Sequence, residues 1–125
     1  GYTGSSSFTY TLSDGSVTST GTVTLGVNAA PAVDLDASGG GTGWTAAYTE
    51  GGAAVAISDT DVLITDANVG DNIAFATLTL LNAQAGDLLA AARALPAGIA
   101  ASFAGNVLTL TGVATRASYE TAIEA

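Results

Sequence analysis

The chain has 125 residues, no Cys or His, and a formal net charge of −9, a length that corresponds to one domain. Eleven carboxylates against Arg93 and Arg116 repel nucleic acid and anionic membrane surfaces, so we expect neither as a partner. The absence of Cys, His and Lys excludes disulfides, zinc sites and Ser-His-Asp catalysis. The apolar runs fall far short of the ~20 residues that a membrane span needs, so membrane insertion is not expected either.

The first predicted elements are two strands at 7–12 and 22–27, separated by an Asp14–Gly15 turn. The apolar residues of the first strand share one face: Phe8, Tyr10 and Leu12. A segment containing Pro31 then ends the pair. Two strands cannot form a core alone, so they need partners. The sequence leaves open whether those partners lie in the same chain or in a neighbour.

The rest of the chain also predicts mostly short strands. They are expected at 32–35, 45–49, 53–57, 61–65, 73–81 and 107–111. A short helix is predicted at 115–124, where Thr115 can cap it. Residues 87–95 favour a helix, because they hold strong helix formers between an acidic start and a basic end. Many short strands with one or two helical turns predict an all-β sandwich.

Several short motifs carry a family resemblance. In the first strands they are Gly1-Tyr2-x-Gly4, Phe8-x-Tyr10, Ser13-Asp14-Gly15 and Val23-x-Leu25-x-Val27-Asn28-x-x-Pro31. Further along they include Tyr48-Thr-Glu50-Gly-Gly52, Ile64-Thr-Asp66, Leu80-Leu-Asn82 and Tyr119-x-x-Ala-Ile123. Together they resemble the cadherin-like repeats that occur in tandem in very large, type I secreted, RTX-like bacterial surface adhesins.

This resemblance implies an Ig/cadherin-like Greek-key β-sandwich from a tandem array, in which the chain spans the end of one repeat and the start of the next. It also implies strand or loop, and not helix, at residues 87–95. Residues 1–28 would be the last two strands of one repeat, residues 29–33 a linker, and residues 34–125 the front portion of the following repeat. It also implies an extracellular or cell-surface location, a role in cell adhesion or biofilm, and neighbouring repeats as partners.

Calcium is the cofactor that the carboxylates favour, since this hard cation takes six to eight oxygen ligands. Strand ends converge at the two poles of a sandwich, and the resemblance implies calcium at such poles between successive domains. The candidate metal ligands are Glu50, Asp59, Asp61 and Asp66, followed by Asp34 and Asp36. The alternative is that these residues only form solvated turns, because Asp hydrogen-bonds its own backbone there.

Two functions follow from this sequence. The first is a calcium-stabilised spacer in the stalk of a large extracellular adhesin. The second is a self-assembling subunit of an extracellular filament or surface layer, in which identical subunits donate strands to one another. An enzyme is not expected, although carboxylate pairs such as Asp59 and Asp61 could in principle hydrolyse glycosides. Carbohydrate binding is not expected, since Trp44, Tyr48 and Tyr2 are the only aromatic residues that could form its platform.

Overall fold

The computed structural model describes residues 3–125, so the motif at Gly1 and Tyr2 lies outside the described residues. The strands are β1 Gly4–Ser13, β2 Thr18–Val27, β3 Ala32–Asp34, β4 Leu63–Thr65, β5 Ile73–Thr79, β6 Ala100–Ala104 and β7 Val107–Ala114, and the helix is α1 Arg116–Ile123. They form three small antiparallel sheets, β1–β2, β3–β4 and β5–β7–β6. The chain is therefore all-β with a short helix, compatible with a β-sandwich.

The first sheet is a long hairpin. Its register is continuous from the Gly4–Val27 pair to the Ser13–Thr18 pair, so both strands extend beyond the predicted bounds. The Asp14 carboxylate accepts hydrogen bonds from the amides of Ser16 and Val17, each at 2.9 Å, which closes the turn. The existence of both strands is confirmed. The added residues are Ser, Thr and Gly, which an apolar alternation does not mark as strand.

After a short linker, residues 32–125 form the part of the chain called the body below. Its three-stranded sheet has β7 at the centre and β5 and β6 at the edges. A Gly105–Asn106 turn joins β6 to β7, and the side-chain nitrogen of Asn106 donates to the Leu80 carbonyl at 2.8 Å. Strand β6 was not predicted, because its Ala-rich sequence carries little alternation.

Helix α1 confirms the prediction at 115–124 and covers one side of the body. The Thr115 hydroxyl accepts a hydrogen bond from the Ser118 amide at 3.2 Å, as an N-cap does. Tyr119 and Ala122 face inward and complete a buried cluster with Ile64, Ile99 and Leu110. The Tyr119 hydroxyl donates to the Gly112 carbonyl at 2.8 Å, so the one polar atom of this buried ring is satisfied.

Three expectations about regular structure are wrong. Residues 45–49 and 53–57 are not strands, and residues 87–95 are not helical. The amides of Ala92 and Arg93 donate to the Ala125 carbonyl, so two donors that a helix would pair internally are used by a distant part of the chain. Tertiary contacts thus override the helix propensity of this Ala-rich segment. Within the described residues, no helix is long and apolar enough to cross a membrane.

Candidate metal site and the joint at Asn68

Three half-buried carboxylates meet at one end of the β3–β4 pair. Asp36 follows β3, and Asp59 and Asp61 precede β4. Because β3 and β4 are antiparallel, with Asp34 opposite Leu63, the end of one strand lies beside the start of the other. Carboxylate oxygens of the three residues all lie within 4.8 Å of one another. This group is called the Asp36 cluster below.

Main-chain and side-chain hydrogen bonds tie the two loops of the Asp36 cluster together. The Asp59 amide donates to the Leu35 carbonyl at 2.9 Å, and the Ala37 amide donates to Asp61 Oδ1 at 3.2 Å. The Asp36 amide in turn donates to Asp34 Oδ1 at 3.1 Å. These hydrogen bonds hold the two loops, and with them the three carboxylates, close together.

Gly39 makes room for the Asp36 carboxylate. Its amide donates to the Asp36 carbonyl at 3.1 Å and closes a tight turn. A Cβ at position 39 would lie 2.6 Å from Asp36 Oδ2, closer than real Cβ contacts allow. The glycine-rich loop thus has a local role here, since a larger residue would displace this carboxylate from the cluster.

The chemistry of the Asp36 cluster suits a hard cation. Three carboxylates so close together repel one another when ionised, and a divalent ion would relieve that repulsion. Oxygen donors without Cys or His match Ca²⁺ or Mg²⁺ and not a soft transition metal. The cluster could therefore hold a metal ion, with carbonyl oxygens and water completing the coordination shell.

The other predicted ligands lie outside this cluster. Asp34 accepts its own turn hydrogen bond from Asp36, and Asp66 accepts from the Asn68 amide at 2.8 Å. Glu50 lies in an exposed turn that the Gly52 amide closes on the Thr49 carbonyl at 2.8 Å. The structure therefore brings together the carboxylates of Asp36, Asp59 and Asp61. Asp34 lies next to Asp36 but accepts its backbone amide and does not belong to this group, and neither do Glu50 and Asp66.

Two carboxylates with a clear role were missed by the sequence analysis. Glu120 Oε1 accepts the Ile64 amide at 2.7 Å, and Glu124 Oε1 accepts the Val62 amide at 3.1 Å. Glu120 lies in α1 and Glu124 is its C-cap residue one turn further on, so this end of the helix covers the backbone at the start of β4 with charge-assisted hydrogen bonds. Their i, i+4 spacing beside the apolar residues of α1 was the available signal.

Asn68 forms the joint between the hairpin and the body. Its side-chain oxygen accepts the Ala29 amide at 2.6 Å, and its side-chain nitrogen donates to the Val27 carbonyl at 3.4 Å. Arg116 Nη1 donates to the Asp66 carbonyl at 3.2 Å and so ties the loop that carries Asn68 to the start of α1. The side chain of Asn68 thus holds the backbone by two hydrogen bonds at the point where the chain leaves β2.

The aromatic residues considered for a sugar platform have other surroundings. Trp44 is half-buried, and its indole N–H donates to the Ala56 carbonyl at 3.3 Å. Tyr48 is exposed, and Tyr2 lies outside the described residues. The indole therefore fastens its own loop across residues 44–56, which is a packing role.

Comparisons with known protein families, with curated proteins and with solved structures find no match to this chain.

Proposed function

We propose that this chain is a structural segment of an extracellular tandem-repeat protein, a spacer in the stalk of a large surface adhesin. In this proposal β1 and β2 close one repeat, residues 29–33 link it to the next, and the body opens the following repeat. One observation carries the proposal: among the described elements, none of the body packs against β1 or β2. The hairpin is attached to the body by the linker and by the hydrogen bonds of Asn68 to Val27 and Ala29.

The amino-acid composition of the hairpin and the body supports a mechanical role. More than half of the residues are Ala, Gly, Thr or Ser, and the described core is built from few large side chains. A thin core of this kind limits stability, because burial of apolar area is the main favourable term in folding. Contact with a neighbouring repeat would add apolar burial to each incomplete unit, as stacking does in repeat proteins.

Calcium at the Asp36 cluster is part of the proposal. The cluster lies at the Asp34 end of the β3–β4 pair, whereas the Asn68 joint lies beyond its Ala32–Thr65 end. Calcium bound there would brace the loop after β3 against the loop before β4. It would stiffen this pole of the body, and the joint to the hairpin would rest on Asn68.

A thermal unfolding series in calcium and in chelator tests the cofactor. A site with a dissociation constant of about 10⁻⁴ M, in about 1 mM calcium, adds about 1.4 kcal/mol to the free energy of unfolding. We expect Asp59→Ala plus Asp61→Ala to abolish the calcium-dependent rise in Tm. The matched control is Glu50→Ala plus Asp71→Ala, which removes the same charge from exposed turns and should keep the rise. An equal rise in both double variants would place calcium elsewhere, and no rise in the wild type would remove calcium from the proposal.

The spacer role itself is tested by reading the coding sequence on both sides of this segment. We expect the pattern of an Asp-Gly hairpin turn, an alternating strand and an Asn-x-x-Pro linker to recur at regular spacing. Labelling of intact cells with an antibody against the chain should also show it at the surface. A flanking sequence without any recurrence would overturn the proposal.

A further inference from the structure

The hairpin has two very different faces. In its register Phe8 lies opposite Val23, and every second residue along β1 and β2 shares that face. The apolar side chains on it are Phe8, Tyr10, Leu12, Val23, Leu25 and Val27. The opposite face holds only Ser, Thr and Gly. Phe8 is 49% exposed and Leu12 is 75% exposed, so this apolar face is unpartnered.

The body has an apolar groove of about 490 Å³ beside β5. Its floor includes the core residues Ile64 and Tyr119, and its rim includes Val33 of β3 and Phe75 of β5, which is 64% exposed. Among the described strands β5 pairs only with β7, so its other edge has free backbone groups. The groove therefore offers apolar side chains and an open strand edge together, which is the arrangement that β-strand addition uses.

The exposed surface is too large for a compact monomer. The accessible area is 8473 Å², while a folded protein of 12.1 kDa exposes about 6,000 Å². The excess of about 2,500 Å² exceeds the ~1,600 Å² that a standard protein–protein interface removes from solvent. The hairpin face and the groove both contribute to this excess, so their mutual burial would bring the area toward that of a compact protein.

The chain's own hairpin is poorly placed to fill the groove. Only four residues separate the end of β2 at Val27 from the start of β3 at Ala32, and Pro31 and Ala32 themselves line the groove. Asn68 holds both Val27 and Ala29, which fixes the direction in which the hairpin leaves. Folding back would break this clamp and require a sharp reversal within those four residues.

We propose that the groove beside β5 binds the apolar face of the β1–β2 hairpin of a second copy of this chain. The groove residues that the structure describes carry no charge, and Asp14 at the turn is the single charged residue of the hairpin. The net charge of −9 therefore does not oppose this contact locally. The hairpin face (the donor) and the groove (the acceptor) are different surfaces, so the interface is head-to-tail and can propagate from copy to copy. This interface rests on the proposed function in one respect, since both require that the body lacks the strands that would cover its groove.

Sedimentation velocity of the full chain over a concentration series, with and without chelator, is the first test. We expect species larger than 12.1 kDa that grow with concentration. Phe8→Asp removes the donor face and Phe75→Asp removes the acceptor, and each should raise the dissociation constant more than about 100-fold, because an unpaired charge is buried. The controls are Thr9→Asp on the polar face of the hairpin and Val113→Asp, an exposed residue outside the groove. Both should assemble as the wild type does.

Mixing the two monomeric variants gives the sharpest result. Phe8→Asp keeps an intact groove and Phe75→Asp keeps an intact hairpin, so a mixture should form a one-to-one heterodimer and stop there. Leu12→Asp serves as a second donor variant, and circular dichroism verifies that each variant retains its strands. A wild type that stays monomeric at all concentrations overturns the proposal, and so does a mixture that stays monomeric, because an intact groove and an intact hairpin would then have failed to bind each other. Self-association of Phe75→Asp alone would also overturn it, since that variant keeps its hairpin and would show that hairpins pair with one another. A calcium-dependent Tm rise in such a monomeric wild type would leave the spacer function standing while this interface fails.

Discussion

The hairpin and the body use the same kind of alternating strand, and they differ in what covers its apolar face. In β7, Leu110 is 1% exposed, because Tyr119 and Ala122 of α1 and residues of neighbouring strands belong to the same cluster. In β1, Leu12 occupies an equivalent alternating position and remains exposed. Alternation therefore specifies a strand and its inward face, whereas the partner that buries the face is decided elsewhere in the chain or in another chain.

The two regions also differ in how their backbones are specified. The hairpin is closed by local bonds, such as those from Ser16 and Val17 to Asp14. The body depends on residues that are distant in sequence, such as Glu120 on the Ile64 amide. We therefore expect changes within the core of the body to unfold it cooperatively, and equivalent changes in the hairpin to alter assembly with little effect on folding.

Substitution of glycine by alanine should give the largest difference in unfolding free energy between the hairpin and the body. Gly112 of β7 has φ +128, and a Cβ there would lie 1.9 Å from the Gly98 carbonyl oxygen. We expect Gly112→Ala to destabilise the body by about 2–6 kcal/mol, from backbone strain and overpacking together. Gly26 of β2 has open space around its Cβ position, so Gly26→Ala should change the unfolding free energy by less than about 1 kcal/mol. Chemical denaturation measures both, and equal losses would contradict the comparison.

Leucine truncation applies the same comparison to side-chain packing. Leu110→Ala should lower the unfolding free energy by about 3 kcal/mol, because it leaves a cavity between α1 and the sheet. Leu12→Ala should change it by less than about 0.5 kcal/mol in dilute, monomeric protein, since the side chain is largely exposed. At concentrations where copies associate, Leu12→Ala should instead weaken assembly. A loss above about 2 kcal/mol for Leu12→Ala in the monomer would show that the hairpin packs against its own body.

The sequence was informative where structure is local. Alternation located β1, β2 and β7, a long apolar run located β5, and the cap at Thr115 with the apolar positions of α1 located the helix. It failed where distant residues decide the outcome. Helix formers at 87–95 were outweighed by bonds from Ala92 and Arg93 to Ala125, and strand β6 depends on pairing with β7.

The candidate site shows the same limit. Asp59 and Asp61 were grouped by their closeness in sequence, but the choice of Asp36 as their third member depends on the pairing of β3 with β4. Asp34 and Asp66, which are also aspartates near β3 and β4, each accept a hydrogen bond within a turn of their own. The register of a three-residue strand pair cannot be read from composition, so no sequence pattern separates these roles.

Tyr119 makes the body sensitive to alkaline pH. Burial raises the pKa of its phenol above the ordinary value near 10, because ionisation would place a charge in the core. Its contribution to stability is full below the unfolded-state pKa and is lost as the pH rises through the folded-state pKa. Tyr119→Phe should cost about 1 kcal/mol at neutral pH, from the lost bond to Gly112, and should remove this part of the alkaline loss. Denaturation curves at several pH values measure both effects, and an unchanged alkaline slope in the variant would contradict this account.

The smallest expected effect is on the stability of the hairpin turn. It is lost as the pH falls, whereas the contribution of Tyr119 is lost as the pH rises. Hydrogen bonds from the backbone amides of Val17 and Ser16 lower the pKa of Asp14 below its ordinary value, because they favour the charged carboxylate. The turn is thus stabilised above the unfolded-state pKa of Asp14, and this contribution is lost as the pH falls through the folded-state pKa. Amide NMR shifts of Ser16 and Val17 should follow this titration, while the signals of the Leu110 region stay unchanged. Asp14→Asn should abolish the titration at the turn. If the core signals moved together with those of the turn, the hairpin and the body would be coupled, and the separation between the two regions would not hold in solution.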